Sequence, residues 1–231
     1  VKPTYTAQGY TLHKCSVCGA NYKDTYTAKL KLSKVGGLKV ASKTNTGVSL
    51  QWNRNTAADG YVLEKYDGKK WVTVKKISGN ANVKYTISGL KSSTTYKFRI
   101  KAYKSSVSSD FSYLNVNTKP YKTTGMKCTG KTNNSITIKW NKNTSAGGYV
   151  LERYNGKKWI AVKTFTSNTN TRFTVSKLSA GKTHKFRLKA YKTFGKVKEY
   201  SEYTYLNANT KPNAMTGFGI KSIANNAVTL K

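Results

Sequence analysis

The stretch Gly60-Tyr-Val-Leu-Glu-Lys-Tyr-Asp-Gly-Lys-Lys-Trp71 returns almost unchanged as Gly148-Tyr-Val-Leu-Glu-Arg-Tyr-Asn-Gly-Lys-Lys-Trp159. Each copy runs an apolar segment into Asp-Gly or Asn-Gly and then into a segment led by Trp. Those dipeptides tolerate the positive φ of tight turns, so the pattern reads as a β-hairpin. Trp52 and Trp140, Leu90 and Leu178, Phe98 and Phe186, and Ala102 and Ala190 keep the same spacing of 88 residues. The repeat sets the period of the chain and divides it into two full units with a fragment at each end. The expected boundaries are 1–34, 35–120, 121–212 and 213–231.

Outward from that hairpin the pattern is period two. Gly37 to Ala41 suits a first strand, and Val48, Leu50 and Trp52 alternate with Ser49 and Gln51 on a second. Tyr61 and Leu63 point inward on a third, and Trp71, Val72 and Val74 lead a fourth. Residues 83–87, 95–103 and 112–116 supply three more. In the sixth, Tyr96, Phe98, Ile100 and Ala102 share one face while Lys97, Arg99 and Lys101 share the other. A one-residue slip would bury three cations, so the register is strongly specified. Seven short strands joined by Gly, Asn and Ser turns predict an all-β antiparallel sandwich, made twice.

Lys and Arg number 42 against 8 Asp and Glu, a net charge of +34. The excess runs through every unit. Residues 1–34 carry six cations and one acid, 35–120 fifteen and four, 121–212 nineteen and three. Only Arg54, Arg99, Arg153, Arg172 and Arg187 are arginines. Lysine is a hydrated point charge without the planar fork that reads phosphates and base edges. The balance therefore argues for diffuse attraction to an anionic polymer, not for a specific nucleic-acid partner. At physiological salt such attraction reaches only ~8 Å. A lysine surface also serves solubility by itself. No apolar run approaches the ~18 residues of a membrane span, so no membrane insertion is expected. Three Cys, 17 Tyr and few Pro suit a secreted bacterial protein, and the chain reads as a piece of a longer one.

Residues 1–34 form a small hairpin unit around Gly9-Tyr-Thr-Leu-His-Lys-Cys-Ser-Val-Cys-Gly19. His13 and Cys15 would face one side of a strand, with Cys18 returning across a knuckle-like turn. That makes three soft ligands where a closed zinc site wants four. Zinc, a Cys15–Cys18 disulfide and free thiols all stay open, and a redox pair is disfavoured because no helix N-terminus adjoins it. The stretch resembles a short Cys-x-x-Cys repeat that accompanies other modules in surface proteins of gut Firmicutes. That pattern has a further Cys after a Pro, where this chain reads Pro3-Thr-Tyr5.

Taken together, Trp52, Tyr61 and Leu90-x-x-x-Thr94-x-Tyr96-x-Phe98-Arg99-x-x-Ala102 resemble the fibronectin type III domain. The resemblance covers 36–119 and 124–211, with a third copy starting at Gly217-Phe218 and stopping at Lys231. It implies that Trp52 and Trp140 are core residues and that Tyr96 is the corner tyrosine. His184 replaces that tyrosine in the second copy, where an imidazole N–H would supply the anchoring bond. Cys128, in place of Val40, reads as a small buried hydrophobe.

No Gly-x-Ser-x-Gly elbow, phosphate-cradling loop or His-Glu-x-x-His motif is present, so no catalytic residue is expected. Glu64 and Glu152, beside Lys65 and Arg153, read as surface charge pairs. Glu199 and Glu202 read as solvated ion-pair partners. Tyr66, Trp71, Tyr154 and Trp159 form the candidate ligand surface, against the plainer reading that each Trp covers the sandwich edge. The second unit is four residues longer between Tyr191 and Pro212. That surplus adds Phe194 and Tyr200 to the candidates.

The resemblance implies a non-catalytic extracellular spacer and interaction array within a larger secreted or wall-associated bacterial protein. Its partners would be other domains of the same polypeptide, linked by connections of about four residues stiffened by Pro. The alternatives are a binding module for an anionic polymer or polysaccharide, and a host-protein adhesin.

Overall fold

A computed structural model describes residues 1–217 and 219–230, and every regular element in it is a strand or turn. The chain divides into two compact units. One is Val1–Lys119 with Phe194–Glu199, and the other is Pro120–Thr193 with Tyr200–Lys231.

The N-terminal hairpin pairs β1 (Gly9–Lys14) with β2 (Asn21–Thr27). The first sandwich follows with β3 (Lys39–Lys43), β4 (Val48–Gln51), β5 (Gly60–Tyr66), β6 (Trp71–Ser78), β7 (Lys84–Ile87), β8 (Thr95–Lys104), β9 (Val107–Ser108) and β10 (Ser112–Asn117). Its smaller sheet has the order β3-β4-β7, and its larger sheet β10-β8-β5-β6 with β9 beside β8. The seven anticipated strands are all present. The additional β9 pairs Lys104 with Val107 at the tip of the β8 hairpin, too short a step for alternation to announce.

The second sandwich repeats the plan with β11 (Lys127–Lys131), β12 (Ile136–Lys139), β13 (Gly148–Tyr154), β14 (Trp159–Phe165), β15 (Arg172–Val175), β16 (Thr183–Phe194), β17 (Val197–Tyr200) and β18 (Thr204–Asn209). Its smaller sheet is β11-β12-β15, and its larger sheet β14-β13-β16-β17 with β18 on β16. The four extra residues lengthen the β16–β17 hairpin. At the C-terminus β19 (Ile220–Ala224) pairs with β20 (Ala227–Leu230), both fully exposed. Phe218 and Lys231, the anticipated ends of a third copy, lie outside the described residues.

The inward row of β8 is buried at Phe98, Ile100 and Ala102, and that of β16 at Phe186, Leu188 and Ala190. Burying the Phe, Ile and Leu side chains of these rows contributes roughly 1.5–3 kcal/mol each, which fixes the register. Trp52 meets the ring of Tyr61 edge-on at 5.4 Å, and Trp140 meets Tyr149 at 5.6 Å. The Tyr61 hydroxyl accepts from the Asn55 N–H and donates to the Asn80 carbonyl, both at 2.9 Å. Tyr149 does the same with Asn143 at 2.8 Å and Asn168 at 3.1 Å. Each buried tyrosine thus ties two loops to its core. Burial pushes the Tyr149 hydroxyl above its ordinary pKa. Leu32 and Val35 enter the first core, and Tyr5 packs against it, so the hairpin segment is seated on the sandwich it precedes.

Candidate functional site

The outer face of the larger sheet gathers most of the aromatic candidates. Alternation along β8 sends Arg99 outward, where register sets it between Tyr113 of β10 and Glu64 of β5. Its guanidinium lies 4.5 Å from the Trp71 ring and 3.8 Å from the Phe111 ring, and 2.6 Å from Glu64 Oε2. Trp71 in turn touches Tyr66 at 5.4 Å and Tyr113 at 5.8 Å. One arginine is therefore stacked between two rings and neutralised by one carboxylate, a combination its planar cation suits.

The second sandwich builds the same arrangement. Arg187 lies 4.5 Å from the Trp159 ring and 4.0 Å from that of Tyr203, with Glu152 Oε2 at 2.5 Å. Trp159 touches Tyr154 at 5.5 Å and Tyr205 at 6.0 Å. Lys189 adds bonds to the Tyr203 hydroxyl at 2.8 Å and lies 3.6 Å from Glu152.

These contacts correct two expectations. Glu64 and Glu152 pair with arginines across the sheet, not with the adjacent Lys65 and Arg153. Glu152 is buried, so its charge is held by the pair and not by water. Trp71 and Trp159 do not lie open as platforms. Each half-buried indole has a guanidinium against its ring.

Two residues that sequence reasoning passed over stand out. Tyr113 is 61% exposed and Tyr205 60%, the outermost rings of the two stacks. The available signal was period-two alternation on the last strand, but the four-residue insertion shifts their spacing from 88 to 92 and hides the match. Phe194 ends β16 half-buried. Tyr200 ends β17, with its ring 6.1 Å from Tyr191 and the Lys189 Nζ 4.5 Å above it. Neither joins the Trp159 stack. Glu199, expected in water, is buried, with Lys43 Nζ 2.5 Å from its Oε1.

The corner position differs between the copies in the direction of its bond. The Tyr96 hydroxyl accepts from the Lys91 N–H at 2.7 Å. His184 Nε2 lies 3.1 Å from the carbonyl of Ser179, the equivalent residue, and donates to it. Cys128 is half-buried against the second core, its thiol 3.5 Å from the Gly130 carbonyl.

In the N-terminal hairpin, Cys15 and Cys18 are free thiols. Cys15 Sγ accepts the Cys18 N–H at 3.4 Å, and the turn closes with the Gly19 N–H on the Cys15 carbonyl at 3.0 Å. The Cys18 N–H, then the Cys18 side chain and the Val17 N–H, bring the half-buried Cys15 thiol from 9.0 down to about 7. A larger share of it is thiolate at neutral pH than for an ordinary cysteine. His13 Nε2 lies 2.9 Å from Asp24 Oδ1, and its ring stacks on Tyr22 at 5.0 Å. Among the described residues no three His, Cys, Asp or Glu side chains gather to hold a metal ion. The anticipated His13, Cys15, Cys18 set is thus not assembled, because the Asp24 bond holds the imidazole.

The fibronectin type III domain family matches residues 33–113 and 120–207. Chitinase A1 of Niallia circulans is 31% identical over 177 residues, 70% of this chain and 24% of that protein. Exoglucanase B of Cellulomonas fimi is 26% identical over 205 residues, 84% of this chain and 18% of that enzyme. Fibronectin type III domain containing protein 3C1 of Mus musculus is 26% identical over 212 residues, 84% of this chain and 15% of that protein. The chain thus spans a quarter or less of each of these relatives. A two-domain fibronectin type III segment of chicken tenascin superposes with a TM-score of 0.51 at 24% identity, covering 76% of this chain and 99% of the segment.

Proposed function

Because the chain belongs to the fibronectin type III family, we propose that it works by spacing and presenting surfaces within a larger protein. In this reading it is a non-catalytic, extracellular array in a secreted or wall-associated bacterial polypeptide. Its first partners are the other domains of that polypeptide. The observation that carries the reading is duplication of a whole sandwich, core and outer stack together. Repeating a complete module extends a chain and multiplies its surface, whereas one reactive centre needs a single convergent constellation. The two bacterial relatives carry names of polysaccharide-acting enzymes, and the matching segment is a minor part of each.

The test is to exchange residues 35–212 in the full-length parent for an unrelated fibronectin type III pair of equal length. Restored activity on the parent's substrate, where plain deletion lowers it, is the expected result. Failure of the exchange would mean that the surface of this pair, and not its length, is what matters.

One observation favours a second reading, a binding module for an anionic polymer or polysaccharide. Tyr113 and Tyr205 are exposed at equivalent places on lysine-bearing faces.

A further inference from the structure

We propose that the outer face of the larger sheet in each sandwich is a ledge for an acidic, uronate-bearing polysaccharide. A sugar ring would stack on Tyr113 in the first copy and on Tyr205 in the second, with its carboxylate met by Lys97 and Lys185. The inference rests on the polymer-binding reading above and names the ligand class and the residues.

The argument starts from what is already occupied on that face. The Trp71 indole is covered by Arg99 and edged by Tyr66, so it buttresses the ledge without offering a ring face. The Arg99 fork is taken by Glu64 and by two rings, and the Arg187 fork by Glu152 and two rings. What each stack leaves open is one tyrosine ring. Its edge-on neighbour, Trp71 at 5.8 Å or Trp159 at 6.0 Å, holds it in place. A held ring loses little freedom on binding, and the C–H face of a pyranose packs on it while the hydroxyls stay in water.

Charge then selects among sugars. Lys97 and Lys185 sit two residues before the arginine on the same face and are exposed, beside Asn115 and Asn207 in register. Glu64 and Glu152, the carboxylates of these rows, are already neutralised. The face is therefore positive toward a ligand, and an acidic sugar complements both its ring and its lysines. With the guanidinium forks committed, lysine point charges remain, which suit a carboxylate better than base-edge recognition. The same constellation in two copies, kept across an insertion that changed its spacing, is what separates it from a stray exposed ring.

The test titrates the whole chain with a galacturonic-acid oligosaccharide in 0.15 M salt by calorimetry. A neutral galactose oligosaccharide of equal length and inorganic polyphosphate serve as controls. The Tyr113→Ala/Tyr205→Ala double variant is expected to weaken acidic-oligosaccharide binding tenfold or more. Its polyphosphate affinity should be unchanged, and Tyr113→Phe/Tyr205→Phe should bind within twofold of the parent chain. Lys97→Gln/Lys185→Gln, confined to exposed side chains, should weaken the acidic ligand about fivefold while the neutral one stays weak throughout. Binding that is indifferent to both the alanine and the glutamine pairs overturns the ledge but leaves diffuse polymer attraction standing. No binding of the acidic oligosaccharide by the parent chain overturns both.

Discussion

Replacing Trp140 by alanine is expected to cost the second sandwich about 4 kcal/mol, within the range for truncating a buried large aromatic. Trp140 is 1% exposed, and it packs edge-on against Tyr149 at 5.6 Å and Phe165 at 5.4 Å. Those partners sit on β13 and β14 of the larger sheet, while Trp140 directly follows β12 of the smaller one, so the indole fills the space between layers and its loss leaves a cavity neither layer can close alone. Domain stabilities are typically about 5–15 kcal/mol, so a loss of this size removes much of the margin. Equilibrium urea unfolding measures it. The expected change is a lower midpoint with little change in slope, and Trp140→Phe should recover more than half of the loss. A cost under about 1 kcal/mol would place the side chain outside a packed core.

Gly148→Ala is expected to cost about 3 kcal/mol, although it adds only one methyl group. A Cβ at that position would stand 2.0 Å from the Phe165 carbonyl oxygen and 2.8 Å from the Tyr191 ring. The first obstacle is backbone of the neighbouring strand, which cannot rotate aside. β14 would have to lift from β13 where their pairing begins. Gly60 repeats the constraint, with a Cβ 2.1 Å from the Ile77 carbonyl oxygen and 2.8 Å from the Tyr103 hydroxyl. Gly156 is the control. Its φ is 97° in the hairpin turn, with nothing within 4 Å of a Cβ, so Gly156→Ala should cost only about 1 kcal/mol of backbone strain. Thermal melts of the two variants give the comparison, and equal shifts would refute the close-approach argument.

The same glycines show where sequence reading stops. Gly60 and Gly148 open the segment that revealed the repeat, yet nothing in the segment says that a carbonyl of another strand lies against them. Alternation reports which face a residue takes, as for Phe98 and Arg99, because that is a local property of the pleat. It does not report what stands across the sheet. Hence the sequence sets Glu64 beside Lys65, whereas its partner is Arg99, two strands' worth of chain away. Likewise the pattern leaves Trp71 readable either as a platform or as an edge cover, and the guanidinium that decides for the cover comes from β8. The tight hairpins, the strand count and the inward rows of β8 and β16 were legible. The stack that leaves Tyr113 and Tyr205 outermost was not, since it is assembled from four strands at once. The His13–Asp24 bond escaped for the same reason, as register across the β1–β2 hairpin brings Asp24 opposite Thr11, beside the histidine's own strand position.

Amide hydrogen exchange followed by NMR on the unaltered chain puts the duplicated sandwich to its most direct trial. Central strands are paired on both sides and should open only with their whole unit. The slowest amides should therefore fall on β5 and β8 around Leu63, Phe98 and Ile100, and again on β13 and β16 around Leu151, Phe186 and Leu188. Rapid exchange across either set, or slow amides concentrated instead in the β1–β2 hairpin, would contradict two copies of one closed core.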